Sequence, residues 1–536
     1  MFKRIIAILM CLAMVFSFVA CGGDKEDTYK GDESTNDSSA EISVGDVEAG
    51  IVPDVIGKTY EEAEAYFKAA GIRYRLNGEN HSTVAEGIVF DTDYTAGEQV
   101  DKNTYVIITY SLGISESEKA LEPAVDKFVA DRTELEQGAN KDYVPLNYDV
   151  MKCVWISQYD LDAVFRKDGK QTDKETFTEY IGKIMDNAKS TGLNTVIVQT
   201  RPNADSFCVS EYYPWSEFVS GTTGRSPDYD PYQIMIDEAH KRGLSFQAWI
   251  NPMRGMTESQ TRIINITYPI RQWIEDSTKN KTYIVNLNGR WYLNPAYEEV
   301  RQLIINGAAE ICRYYNVDGV HMDDYFYPAE ATSAFDDKAF LEQKNTGFSA
   351  RRDFRYNNLN LLVKGIYDAV KAENPNLIFG ISPAGVYKNV MQNQYADVKT
   401  WLSKSGYIDY IMPQLYWGLE HDTCGFKQLY EQWANLIKVD TVKLAIGMSL
   451  GKAVEGADDK PDDDAGSGKY EWVENKDVFK RMYEFLIEQD DCIGFSIFSY
   501  NSMFNVTSGA QNSKTAEEQK NFVPIIQTWE SNKIEY

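Results

Sequence analysis

Gly319-Val320-His321-Met322-Asp323-Asp324-Tyr325-Phe326-Tyr327-Pro328 reads as a buried strand that runs into two adjacent carboxylates and an aromatic cluster. Its start is apolar and its end is charged, so one end should open from a core onto a polar surface. Period-two alternation puts His321 and Asp323 on one face and Met322 and Asp324 on the other. At a strand end that alternation relaxes, and both acids can reach the same opening.

Working outward, this run is one of eight. Short apolar stretches recur at 153–157, 195–199, 245–251, 319–324, 378–383, 408–416, 443–449 and 494–500. Helical patterns fall between them, including 176–191, 231–242, 297–315, 354–373, 398–405 and 477–488. Asn294-Pro295 announces the third helix, and Gly192 and Gly243 stop the first two. Strand–helix alternation implies a parallel sheet with helices outside. Eight repeats in one unit favour an α/β chain with a closed (β/α)8 TIM-type barrel over an open sheet.

In such barrels the chemistry sits at the C-terminal ends of the strands. That rule selects Gln199, Arg201, Asn203 and Asp205 after the second strand, and Asn251 and Arg254 after the third. The fourth supplies His321, Asp323 and Asp324, and the fifth Ser382. The sixth gives Gln414, Tyr416 and Trp417, and the eighth Tyr500. Each has a structural alternative. An arginine can pair with a neighbouring acid, His321 can be a satisfied core histidine, and the aromatics can be packing under a loop. Adjacent carboxylates are harder to explain structurally, because like charges in a partly buried place raise each other's pKa. One acid could then stay protonated and donate to a leaving oxygen while the other stays ionised. Asp205, Glu211 and Glu420 are further candidates for a second carboxylate.

The chain has 536 residues, enough for two or three units, with 35 Tyr and 10 Trp. A net charge of −27 argues against nucleic acid as a partner, since a polyanion needs clustered Lys and Arg. Only four histidines occur, His81, His240, His321 and His421. They form no pair of the kind a zinc hydrolase places at strand ends, and neither a metal nor another cofactor is expected. A serine nucleophile elbow and a phosphate-binding glycine loop are absent.

The N-terminus reads as a secretory signal over residues 1–20, with Lys3 and Arg4 ahead of an apolar stretch. Phe18-Val19-Ala20-Cys21 resembles a bacterial lipoprotein cleavage site, making Cys21 the expected lipid-carrying residue and the membrane an expected partner. The remaining cysteines past Cys21 are five, scattered and without metal-type spacing, and read as mostly buried thiols rather than a disulfide framework. Residues 21–50 are acidic and Ser/Thr-rich, a tether that cannot bury enough surface to order itself. A compact α+β unit is expected at 51–113, a helical connector at 114–147 and the barrel at 148–536. In the small unit a helix fits residues 60–70, stopped by Gly71, with strands near 87–91 and 104–111. Its pattern, VPDVIGKTYEEAEAYFKAAGI…EGIVF…YVIITYSLG, resembles a PASTA domain. In that family such modules bind cell wall or act as spacers.

The barrel segments GLNTVIVQTRPNADSF, EAHKRGLSFQAWINPMR, WYLNPAYEEVR, DGVHMDDYFYP, FGISPAG and IDYIMPQLYW resemble the glycosyl-hydrolase-like ten family of bacterial envelope barrels. Over roughly 148–530 the chain looks closest in kind to denuded-glycan hydrolases, which cut peptidoglycan glycan strands after amidases have removed the stem peptides. The resemblance implies a barrel glycosidase acting on a β-linked cell-wall glycan, with Asp323 and Asp324 matching the family's acidic motif; with the lipid expected at Cys21 it would be extracytoplasmic, membrane-anchored and facing the wall. It places Arg201, Asn203, Asn251, Arg254, His321, Gln414 and Tyr416 in matching motifs. Trp417 and Trp215 would offer stacking faces for sugar rings. Phe354-Arg355-Tyr356 stands where the family has a Trp-Arg-Arg-type helix entry, and Lys152-Cys153 where it often has Arg-Gly. Two other readings remain open at this level: a non-catalytic wall-binding scaffold, and a glycosidase of an exopolysaccharide.

Overall fold

The computed structural model describes residues 44, 45, 47–81, 84–102, 104–113, 142–329, 331–342 and 347–536. The expected signal, the lipidation at Cys21 and most of the 21–50 tether lie outside these residues. Of the 114–147 connector only 142–147 are described, and they form no helix.

Eight parallel strands close into a barrel: β1 (Met151–Ile156), β2 (Thr195–Arg201), β3 (Ser245–Ile250), β4 (Gly319–Met322), β5 (Ile378–Ile381), β6 (Tyr410–Ile411), β7 (Lys443–Ser449) and β8 (Cys492–Phe498). β8 returns to β1, with Gly494 opposite Met151 and Ile497 opposite Val154. Each strand is followed by a helix: α1 (Lys174–Ser190), α2 (Pro231–Lys241), α3 (Glu298–Tyr314), α4 (Arg351–Glu373), α5 (Val398–Ser403), α6 (Phe426–Ala434), α7 (Val478–Ile487) and α8 (Ala516–Thr528). The expected (β/α)8 order is therefore present. Helix starts follow ordinary capping chemistry. Asp173 accepts from the Thr176 backbone N–H at α1, and at α2 Asp230 precedes Pro231 and accepts from two backbone N–H groups.

Period-two alternation divides the core. Val154, Ile156, Val196 and Val198 face the helices in one large apolar cluster. Met151, Cys153, Trp155, Ile197, Trp249, Tyr410, Met412 and Ala445 face the barrel axis and form a second. Two glycines make room for the large rings there. A Cβ on Gly380 would lie 2.0 Å from the Tyr410 ring, and one on Gly447 would lie 2.7 Å from Trp155. Any side chain at either position would displace an interior ring.

Between β3 and α3 the chain adds an antiparallel flap of Arg254–Thr257, Ile284–Leu287 and Arg290–Leu293. Its hairpin turns at Asn288-Gly289, both with positive φ, as a tight two-residue turn requires. The eight-repeat pattern does not reveal this flap, because it is an insertion in one loop.

The small N-terminal unit has the expected helix (Tyr60–Ala69), started by a reciprocal capping box of Thr59 and Glu62. Tyr105–Ser111 is the central strand, parallel to Arg73–Glu79 and antiparallel to Val89–Thr92. The Arg73–Glu79 strand is an addition to the sequence reading. It buries no residue fully, so it carries no apolar alternation to detect.

Candidate active site

β4 stops at Met322, and the two residues that follow turn into the barrel mouth. Asp323 and Asp324 both line a cavity of about 180 Å³ there. β1 and its loop contribute Trp155, Ser157, Gln158 and Tyr159. β2 and β3 contribute Gln199, Trp249 and Asn251. Tyr325, Ser382, Gln414, Tyr416 and Phe498 complete the wall. Asp323 and Asp324 are the only acids among these residues. Asp205, Glu211 and Glu420 do not line the cavity. Asp205 accepts from the Asn203 backbone N–H, Glu211 is bound by the Tyr314 hydroxyl, and Glu420 by Arg481.

The two acids are placed unequally. Asp323 is buried and Asp324 is partly exposed to the cavity. Burial, and then the charge of Asp324, push the Asp323 carboxyl well above its usual range; the Tyr325 backbone N–H, Trp249 and Arg254 pull only part of the way back. Burial also raises Asp324, opposed by its own backbone N–H and the Gln414 amide. The deeper acid therefore keeps a proton where the shallower one has lost it, a division of labour that two equivalent carboxylates could not provide.

The surrounding polar groups are fixed, but several are left open. Gln199 donates to Asn251 Oδ1 at 3.2 Å, and Asn251 donates to the Pro202 carbonyl at 3.0 Å. Gln414 donates to the Ser382 carbonyl at 3.0 Å. Three buried polar atoms in the cavity wall make no well-formed hydrogen bond within the protein: Gln199 Oε1, Trp249 Nε1 and Ser382 Oγ. Orphaned buried donors and acceptors are costly, and their clustering in one cavity marks a place that a polar ligand completes. Tyr416 stacks on Phe498 beside them, with centroids 5.8 Å apart. At the rim Tyr159 and Tyr325 keep exposed rings, 67% and 43% accessible, although both belong to an aromatic class that usually packs.

The structure redistributes the other strand-end residues. His321 is fully buried below the cavity, with its ring 5.8 Å from Trp155. The Trp155 indole only donates, so His321 Nε2 accepts from it at 3.3 Å. His321 Nδ1–H then donates to the Tyr410 hydroxyl at 2.7 Å, and Tyr410 donates to Gln247 Oε1 at 2.6 Å. This is the satisfied core histidine of the structural alternative, and it orients Trp155, which does line the cavity. Burial pushes its pKa down to about 3. The unfolded ring titrates near ~6.5, so the unfolded chain binds the extra proton first. The stability His321 contributes at neutral pH is lost as pH falls from ~6.5 towards 3. His321→Gln is expected to flatten the decline of melting temperature across that window. An acid slope equal to that of the unsubstituted protein would contradict this.

Arg201 points away from the cavity. β2 carries a bulge between Gln199, opposite Trp249, and Arg201, opposite Ile250. The extra residue turns Arg201 to the helix side, where simple alternation would have kept it inside with Gln199. Its guanidinium lies 3.9 Å from the Tyr213 ring and 3.2 Å from Glu310 on α3, with the pair 3% and 1% exposed. Asn203 also stands outside the cavity and accepts from Arg290 on the flap. Arg254 lies over the Tyr325 ring at 4.9 Å. Trp417 is partly buried against Gly385 and meets His421 edge-on, and Trp215 is packed in the core; neither lines the cavity. Tyr500 is buried and bound to Asn187. Gln199, Asn251, Ser382, Gln414, Tyr416 and the two acids are the expected residues that meet in one place. Trp155, Ser157, Gln158, Tyr159, Trp249, Tyr325 and Phe498 join them without having been singled out. For Trp155 and Trp249 a signal existed: each sits at an inward position near a strand end.

Comparison with known proteins adds the following. Residues 150–462 match the sequence model described as glycosyl hydrolase-like 10, and residues 50–112 match that of the PASTA domain. "Glycosyl hydrolase YngK" of Bacillus subtilis is 37% identical over 321 residues, covering 56% of this chain and 61% of that protein. The chain thus spans less than two thirds of that relative. "Glycosyl hydrolase DigH" of Escherichia coli is 32% identical over 295 residues, 52% of this chain and 67% of that protein. Among solved structures, the PgaB (BpsB) glycoside hydrolase domain from Bordetella bronchiseptica is 11% identical with a TM-score of 0.47, covering 71% of this chain and 99% of that one.

Proposed function

The chain belongs to the glycosyl hydrolase-like 10 family, and from that membership we propose that its barrel mouth is a glycosidase site for peptidoglycan glycan strands stripped of their stem peptides. The observation that carries this reading is the pairing of Asp323 and Asp324 in a cavity whose wall holds three orphaned polar atoms. Asp323, the deeper acid, donates its proton to the departing glycosidic oxygen. Asp324, ionised and nearer the opening, stabilises the positive charge that develops at the anomeric carbon, where water then adds and gives its proton to the Asp323 carboxylate. Gln199, Asn251, Ser382, Gln414 and the Trp249 indole bind sugar hydroxyls and amide groups. Tyr159 and Tyr325 offer flat faces to the rings on either side. A wall substrate agrees with the PASTA match at residues 50–112, which supports an extracytoplasmic setting. Anchoring through a lipid on Cys21 is part of the same proposal. No helix among the described residues is long and apolar enough to cross a membrane.

The test is digestion of purified peptidoglycan, with and without prior amidase treatment, followed by mass analysis of soluble products. Peptide-free glycan fragments should appear after amidase treatment and vanish in Asp324→Asn. Binding to the wall without release of fragments from either polymer would replace this reading with that of a scaffold. Release from a glucosamine exopolysaccharide alone would replace the substrate.

A further inference from the structure

Two arginines of the flap lie next to the site without forming an ion pair, although Asp323 feels the charge of Arg254. Arg254 opens the flap and lies over Tyr325, a cavity residue, at 4.9 Å. Arg290, on the neighbouring flap strand, donates through one nitrogen to Asn203 Oδ1 at 2.9 Å and to the Gly255 carbonyl at 2.7 Å. That contact pins its guanidinium at the backbone of the residue next to Arg254. Among the described residues, neither guanidinium has a carboxylate within the 4.0 Å of an ion pair. The two cations also work against each other: burial, and then the charge of Arg254, lower the pKa of Arg290, while Tyr292 and Asp205 offset only part of this. In a chain with a net charge of −27 ion-pair partners are plentiful, so two half-buried arginines next to the site that make no ion pair need a further explanation. Both are held by neutral groups that leave further N–H donors free, the arrangement that binds a planar oxyanion in two-pronged fashion.

We infer that Arg254 and Arg290 form a subsite for a carboxylate carried by the glycan, namely the 3-O-lactyl carboxylate of an N-acetylated hexosamine next to the scissile bond. This inference rests on the glycosidase reading above and deepens it. In intact peptidoglycan the lactyl group is tied up as the amide that holds the stem peptide, and it carries no charge. Amidase cleavage of that bond leaves a free carboxylate. A site built from two arginines thus prefers a stripped strand for an electrostatic reason, in addition to the steric one of lost peptide bulk. The Tyr325 ring places Arg254 and offers a sugar its remaining open face.

The decisive experiment separates charge from bulk. Peptide-free glycan is divided, and in one half the lactyl carboxylates are converted to methylamides by carbodiimide coupling, which removes the charge with little change in size. kcat/KM is then measured on both polymers for the unsubstituted protein, Arg254→Gln and Arg290→Gln. The unsubstituted protein should favour the acidic polymer by on the order of tenfold or more, as charged hydrogen bonds usually require. Each variant should bring that ratio down towards one. A merely structural role would slow both polymers alike and leave the ratio where it was. Equal rates on both polymers with the unsubstituted protein would overturn the carboxylate subsite and leave the glycosidase reading standing. Cleavage of neither polymer would sink the glycosidase reading itself. Should one variant fail to fold, the two-polymer comparison on the unsubstituted protein and the other variant still decide.

Discussion

Asp323→Asn is expected to lower glycan turnover on the order of 10²–10⁴-fold while leaving the melting temperature unchanged or raised. The two halves of this result have one cause. Asp323 is buried next to a second carboxylate, so its ionised form is expensive and its pKa is held well above the usual range. That makes it an acid that keeps a proton to give. It also makes it a liability for folding. The unfolded carboxyl ionises near ~3.9, whereas the folded one holds its proton to higher pH. Stability from this group is thus complete below ~3.9 and falls as pH rises through the raised folded value. Asparagine keeps the shape and a neutral hydrogen-bonding group and abolishes the penalty. Asp324→Asn should also lose activity, since no other acid lines the cavity. The pH profile follows from the same placement. With the proposed roles activity would require Asp324 ionised and Asp323 protonated, and burial raises both, so the optimum should sit above the ordinary carboxylate range with its alkaline limb set by Asp323. Steady-state kinetics on peptide-free glycan, with calorimetric melting of the same samples, checks both halves. An Asp323→Asn protein of normal activity would remove Asp323 from the chemistry, and a folded but clearly less stable one would contradict the account of its burial.

The second large effect concerns stability. Arg201→Met is expected to destabilise the barrel by about 3–5 kcal/mol, the usual consequence of removing one member of a buried pair. Glu310 would be left on α3 with the Ser210 hydroxyl and the Glu211 backbone N–H as its remaining partners. Burial already pushes the Glu310 carboxyl up to about 7, against the attraction of Arg201. Without that cation its pKa must climb further and the carboxyl takes a proton on folding. The loss should therefore be larger in mildly alkaline than in mildly acidic buffer. Adding Glu310→Gln should recover part of the stability, because the orphaned charge rather than the missing arginine is the main cost. Denaturant titration of the single and double variants provides the measurement. Arg201→Met with unchanged stability and a raised KM would instead return Arg201 to the substrate.

How far each conclusion was legible beforehand depends on the distance over which it was decided. The eight apolar runs, the helices between them and the acids at the end of β4 are local features. Propensity, periodicity and capping write them into ten or fifteen consecutive residues, so the closed barrel and the location of its mouth could be read directly. That both acids turn into one cavity could be anticipated, because the strand ends at Met322 and the alternation stops there. The roles of Arg201 and His321 could not. A single extra residue in β2 swings Arg201 from the interior to the helix layer, and a bulge depends on the pairing partner, β3, rather than on the strand itself. His321 is neutral and structural because Trp155 and Tyr410, 166 and 89 residues away, close its hydrogen bonds.

The aromatic faces show the same division. Trp417 and Trp215 were attractive by composition, yet the rings left accessible at the rim are Tyr159 and Tyr325, since accessibility is a property of the whole surface. The Arg254–Arg290 pair joins residues from two flap strands within one loop, and nothing in their sequence spacing announces that they come together next to the site without an ion pair. The chain by itself thus determined the barrel, the small domain before it and the end of the barrel at which the acids sit, because short-range patterning and strand-end position suffice for these. Which side chains enter the cavity, which acid keeps its proton and which cations stay unmatched were decided only in the tertiary structure, because burial, register and the long-range field of other charges exist only once distant segments are packed together.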